Sequence, residues 1–185
     1  MRWIAILTFA LASPAVADEI CHDLWFARNA IMDRAGYCFG SALGQAVFDN
    51  ADCVGKSVSL TPDAQATVAR IQEWESENSC RVNTKQTKLD VQALGLRLGL
   101  VHQPVRDIFE SACLGWLGPT TPLRAGHDSN AAVVGAVRRG DYVLYSHEPV
   151  GDWSYMTVSD SDWLVITAGW IDFSSVEETC ADYAG

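Results

Sequence analysis

Six cysteines, Cys21, Cys38, Cys53, Cys80, Cys113 and Cys180, constrain the fold of this chain more than any other feature. Their meaning depends on where the chain resides, and the N-terminus speaks to that. "MRWIAILTFALASPAVADE" opens with Arg2, continues with the apolar run Trp3–Ala12 and ends on Ala15-Val16-Ala17. This pattern predicts a secretory leader over residues 1–17, cleaved ahead of Asp18. The alternative, an anchor helix, needs a longer apolar run than is present. No later segment is long and apolar enough to span a bilayer, so the mature chain is expected without membrane insertion, in the periplasm or secreted. All six cysteines follow the leader. In an exported chain an even count predicts disulfides, here three, whose pairing the spacing alone leaves open.

Loss of the leader removes Arg2 and no acid, taking the formal charge from −10 to −11 and leaving 168 of 185 residues. That length holds one domain or two small ones, a size that often needs staples. The negative charge argues against nucleic acid or anionic lipid as partners, since both need basic patches. It permits a basic protein partner without requiring one.

The two halves follow different periodicities. "DLWFARNAIMDRAG" places Leu24, Ala27, Ile31 and Ala35 at helical spacing, with Asp23 as the expected N-cap and Gly36 as the stop. Ser41 is positioned to cap a short helix "ALGQAVF". "LTPDAQATVARIQEWESE" has Thr61 at the cap, Pro62 at the first helical position and Asp63 in the first turn. In residues 81–118, "ALGLRLGL" fits both periods, and Gly95 with Gly99 tilts it towards extended structure. "PVRDIFESACLGW" reads as a turn or two of helix ending near Gly115. Residues 119–173 read as short strands: "TPLRAG", then "AAVVGAVRRGDYVLYS" turning at Arg139-Gly140. A hairpin "DWSYMTVSDSDWLVITAGWI" follows, with its turn near Ser159–Ser161 and a break at Gly169.

The order Leu123-Arg124-Ala125-Gly126, Val134-Gly135, Gly140-Asp141-Tyr142-Val143, Trp153 and Gly169-Trp170-Ile171 resembles the bacterial SH3-like (SH3b) domain of cell-envelope proteins. The resemblance implies a small β-barrel over 119–173 with a binding or spacing role. "DLWFARNAIMDRAGYCF" resembles the YARHG segment of exported bacterial proteins, through Leu24, Trp25, Arg28, Asn29, Ile31, Arg34, Gly36, Tyr37 and Phe39. It departs from that family at Ala35, where the family has histidine, which counts against any chemistry needing that imidazole. The two together resemble an uncharacterised group of exported alphaproteobacterial proteins. The organisation expected is a leader (1–17), a helical YARHG-like region (18–80), a connecting segment (81–118), the barrel (119–173) and a tail (174–185) held by Cys180. With a barrel in that place, Cys113–Cys180 would join its two flanks; Cys38–Cys53 and Cys21–Cys80 are chosen among the remaining pairings.

Candidate chemistry is sparse. Cys38 lies ahead of a helix start, where a low-pKa thiol would be at home. A Cys/His hydrolase needs a histidine within reach and an orienting group. His22, His102, His127 and His147 offer no such setting, and a free Cys38 would leave an odd thiol. It is read as half a disulfide. No CxxC, HxxxH or HExxH spacing and no complete calcium loop occurs, so neither a metal nor another cofactor is expected. No pair of acids stands out for glycosidase chemistry. Arg28, Asn29 and Arg34 sit on an otherwise apolar helix, where internal hydrogen bonds are the common fate and ligand binding is the alternative. Trp163, beside the hairpin turn, is the first choice for an exposed anchor. Tyr145 and Trp153 come next, and Trp170 is expected in the core.

The expectation is therefore an α+β protein: a small helical N-terminal region followed by an SH3-like barrel, stapled by disulfides. Its expected role is a non-catalytic binding module of the bacterial envelope, contacting peptidoglycan or an envelope protein. The alternative is an acidic inhibitor or immunity-type protein blocking a basic exported enzyme. A cell-wall hydrolase is third.

Overall fold

The computed structural model describes residues 14–185, with side chains from Asp18 onward. The leader expected over 1–17 lies outside the described residues as far as residue 13. Among the described residues no helix is long and apolar enough to cross a membrane.

Helix α1 (Pro14–Arg34) begins well before Asp23, so Asp23 is a helix-interior residue and not an N-cap. The helix is buried on two sides. Ile20, Leu24 and Ala27 pack on Ile71 of α3 (Pro62–Glu77). Trp25, Phe26 and Ala30 join Phe39, Leu43 and Phe48 in an aromatic cluster. Gly36, at φ +87°, takes the left-handed turn that stops α1, as its position predicts. Ser41 caps α2 (Ala42–Val47) by accepting from the Gly44 amide at 3.1 Å. Thr61 caps α3 in the same way, with Pro62 and Asp63 in its first turn.

Two of the three disulfides staple this region. Cys21–Cys80 ties the body of α1 to the chain just beyond α3, and Cys38–Cys53 closes the loop that carries α2. An ion pair between Arg28 and Glu75, with an N–O distance of 3.0 Å, also joins α1 to α3.

"ALGLRLGL" is not extended. Residues Leu94–Leu98 form a short helix, α4, in which Arg97 is buried. The reason is tertiary: Arg97 turns inward to meet Asp23 of α1. Nor is "RDIFESACLGW" helical. It forms β1 (Arg106–Trp116), irregular between Arg106 and Ser111, where the exposed residues Ile108, Phe109 and Glu110 interrupt any simple alternation.

Strands β2 (Thr121–Arg124), β3 (Val133–Val137), β4 (Tyr142–His147), β5 (Trp153–Ser159), β6 (Val165–Asp172) and β7 (Cys180–Ala184) complete one seven-stranded sheet. Its order is β3-β2-β6-β5-β4-β1-β7, and every pairing is antiparallel. The expected barrel is thus corrected to an open sheet. Closure would require β3 to pair with β7, and these strands are its two edges. The sheet also draws β1 and β7 from outside 119–173, and the third disulfide, Cys113–Cys180, links those two strands. The β6 strand continues through Gly169 without a break. A Cβ there would lie 2.9 Å from the Arg124 carbonyl oxygen, so glycine lets β2 approach. Cys113, Trp116, Leu123, Val137, Val143, Met156, Val158 and Ile171 form the sheet's main core.

Candidate functional site

A cleft of about 600 Å³ opens where the helical region meets the sheet. Ile31, Arg34 and Ala35 contribute from the end of α1, and residues between Ser59 and Thr67 from the start of α3. Val101, His102, Gln103, His127 and Val150, from loops around the sheet, form the opposite wall. A smaller extension of about 250 Å³ shares Thr67, Gln103, His127 and Val150 and reaches Arg70, Glu148 and Trp170.

The wall containing His102 is held firmly. The Val101 amide donates to the Ala125 carbonyl at 2.6 Å. The Trp170 indole N–H donates to the His102 carbonyl at 2.9 Å, and Gln103 Nε2 to the Arg97 carbonyl at 2.8 Å. His102 and His127 stack with ring centroids 4.0 Å apart, and His127 meets Trp170 edge-on at 5.1 Å. Gly126 makes room for this arrangement, because a Cβ there would sit 2.5 Å from His102 Nδ1. That nitrogen is buried and has no hydrogen-bond partner. Protonating the ring would place an N–H on it with no acceptor. Burial accordingly pushes the His102 pKa down, and His127 pushes it the same way. With Nδ1 walled in at Gly126, the proton of the neutral ring is assigned to Nε2, the nitrogen left to the cleft.

Arg34 stands at the cleft as an exposed cation. Its one hydrogen bond, to the Leu98 carbonyl, is long at 3.5 Å. Among the described residues it has no carboxylate within ion-pair distance, unlike Arg28, Arg70, Arg97 and Arg106. Asp63 supplies a carboxylate to the same lining.

A second polar group lies deeper and lines neither cavity. Asp23 pairs with Arg97, and its Oδ2 lies 3.4 Å from His147 Nε2. Ser146 Oγ lies 3.2 Å from His147 Nδ1. The Arg97 guanidinium rests over Phe26 at 5.1 Å, and the His147 ring meets Tyr155 edge-on at 4.8 Å. Burial pushes the Asp23 carboxyl up, but Arg97 and His147 outweigh this and hold it well below the usual carboxylate range. Burial pushes the His147 pKa down against the opposing pull of Asp23. The consistent state has Asp23 ionised and His147 neutral, donating from Nε2 and accepting from Ser146. The serine, histidine and aspartate follow one another as in a hydrolytic triad, but they lie in the core, wedged between the two halves.

The residues singled out from sequence do not converge. Arg34 lines the cleft, while Arg28 is held by Glu75. Trp163 is 52% exposed and adopts φ +63° beside Tyr142. Tyr145 is half-buried against the sheet core, where burial raises its phenol pKa, and Trp153 packs on the cluster of Leu100, Tyr155 and Trp170. None of these three aromatics lines the cleft. Cys38 is bonded to Cys53 and is no nucleophile. The one convergence of metal-type donors among the described residues is Cys113, Glu178 and Cys180, whose two sulfurs form a disulfide. Sequence reasoning weighed His102 and His127 only as partners for a cysteine. Their loops, "VHQP" and "AGHD", carry no spacing that announces two stacked rings.

Two family models match the chain. One, described as Domain of unknown function (DUF4453), covers residues 79–185, and the YARHG domain model covers residues 3–76. The cleft is lined from both sides of that boundary. No curated protein and no solved structure matches.

Proposed function

The chain belongs to the DUF4453 family through residues 79–185, with a YARHG domain ahead of it, and we propose that it is an exported, non-catalytic binding module of the bacterial envelope. Its target is peptidoglycan or an envelope protein. The observation that carries this reading is the cleft itself. It has the volume of a small-ligand site, roughly 300–1,000 Å³, and neither matched segment lines it alone. Within the lining, Thr67 donates to the Asp63 carbonyl and Thr61 accepts from Ala64. Among the described residues, no lining hydroxyl is hydrogen-bonded to His102 or His127, as a poised nucleophile would be.

Three disulfides fit a periplasmic or extracellular protein, and a leader cleaved before Asp18 would deliver it there. The SH3-like order of pieces in 123–171 supports kinship with envelope recognition modules, in this chain as an open sheet.

The inhibitor reading has its own supporting feature, the β5–β6 turn. Asp160 and Asp162 immediately precede Trp163 and Leu164 there, and both apolar side chains are exposed. Purified sacculi and a periplasmic extract, each presented to the oxidised protein lacking residues 1–17, separate the readings. Saturable retention on sacculi is the expected result. No retention, with stoichiometric capture of one basic enzyme, would favour the inhibitor. Release of soluble muropeptides from the sacculi would overturn the non-catalytic reading.

A further inference from the structure

The cleft presents donors on one side and an acceptor on another. Arg34 offers its guanidinium with one long hydrogen bond and no acidic partner among the described residues. His102, with Nδ1 buried against the position of Gly126, is left with Nε2 as its accessible nitrogen and its N–H donor. A cation beside a neutral N–H donor suits a planar anion of single charge, since guanidinium and carboxylate match in geometry. Asp63 lines the same cleft, and Asp128, Arg34 and Asp63 all lie close enough to act on the His102 charge, so two carboxylates stand near the one guanidinium. A doubly charged phosphate would be repelled there, whereas an ammonium or amide N–H on the ligand would be welcomed.

Resting on the binding role proposed above, we infer that the cleft holds the C-terminal end of a short peptide. Its carboxylate lies on Arg34 and His102, its N–H groups turn towards Asp63, and small side chains face Ile31, Leu60 and Val101. The stacked His102–His127 pair forms a rigid wall beside the carboxylate. Wall stem peptides and protein C-termini share this chemistry, and the chirality of the terminal residues tells them apart.

The test titrates the oxidised protein with D-alanyl-D-alanine, L-alanyl-L-alanine, their C-terminal amides and orthophosphate, following the imidazole NMR signals of His102 and His127. The expected result is saturable binding of a free-acid dipeptide. Amidation or Arg34→Gln should weaken it about tenfold or more, the scale of one charge-assisted hydrogen bond. Asp63→Asn, which keeps an acceptor but loses the charge, should weaken the free-amine dipeptide more than its N-acetylated form, titrated alongside. Preference for the D form names wall peptide as the source, and preference for the L form names a protein terminus. Arg34 is exposed, so an unchanged melting temperature certifies that variant's fold. Equal binding of acid and amide, tighter binding of orthophosphate, indifference to Arg34→Gln, or no binding of either dipeptide would each overturn the assignment. Any of these could occur with sacculus retention intact, which would leave the wider binding role standing.

Discussion

Asp23 and Arg97 form an ion pair between α1 and α4 with side-chain exposures of 7% and 1%. It joins a residue of the YARHG match to one of the DUF4453 match and so fixes the two segments against each other. A buried pair is weak evidence of net stabilisation, but breaking it is expensive because one charge stays behind in the core. Asp23→Asn should therefore lower unfolding free energy by about 3–5 kcal/mol in urea titrations. Replacing both partners, Asp23→Leu with Arg97→Met, should recover most of that loss. If the double variant is as unstable as the single one, the pair is not what sets the cost.

His147 makes the same junction sensitive to pH. Its folded pKa is lowered from 6.5 by burial, so below about pH 6.5 the unfolded chain takes up a proton that the folded one resists. Stability is then fully present above 6.5 and falls as pH drops towards the folded value. His102, also lowered, adds to the fall. The Asp23 pKa is depressed, so its contribution is present above 3.8 and fades only as pH falls through a much lower folded value. Urea midpoints measured from pH 8 to 4.5 should decline through the pH 6 region. His147→Gln, which keeps a donor facing Asp23, should flatten the decline, leaving the share due to His102. A midpoint flat over this range would contradict a neutral buried His147.

The staples should differ in strength. The sequence separations are 59 for Cys21–Cys80, 15 for Cys38–Cys53 and 67 for Cys113–Cys180. In the chain-entropy account each contributes about 2–4 kcal/mol, more for longer loops. Paired Cys→Ser replacement at 38 and 53 should then lower the melting temperature least. Thiol titration of the unreduced, unfolded protein should find no free –SH. One free thiol per chain would break the scheme and return Cys38 to consideration as a nucleophile.

What the sequence made legible was local. Thr61-Pro62-Asp63, Ser41 and Gly36 mark helix ends through their own backbone chemistry, and the structure uses each as read. The disulfides formed are Cys113–Cys180, expected from the flanks of a barrel, and the two pairings picked among those that remained, which no local signal had singled out. Most of the failures have distant causes. Asp23 looks like a cap because acids favour that place, yet it is an interior partner for Arg97, 74 residues away. α4 is a helix because Arg97 must reach inward, and no periodicity in "ALGLRLGL" shows that. β1 is hidden by its irregular stretch, which exposes Ile108 and Phe109. The cleft was legible only at Arg34. Its histidine wall depends on Gly126 and Trp170 meeting His102 across the fold.

Two tryptophans in the same half of the chain should behave oppositely. Trp170 is 1% exposed, packs with Leu100 and Tyr155, and donates its indole N–H to the loop carrying His102. Trp170→Ala should cost about 3–5 kcal/mol, as a large-to-small core change does, and should also disturb the cleft wall. Trp163 keeps an edge contact with Tyr142 at 5.3 Å and otherwise faces solvent. Its φ of +63° is unfavourable for a bulky side chain, so the turn holds it there at some cost. Trp163→Ala should cost about 1 kcal/mol, the scale of one aromatic pair. Trp163→Gly should be the more stable of the two variants, since glycine adopts that backbone freely. If the β5–β6 turn is a docking point, both variants should lose partner capture while keeping dipeptide binding at the cleft. Unfolding of Trp163→Ala would place Trp163 in the core. Full capture by both variants would move protein recognition away from the turn.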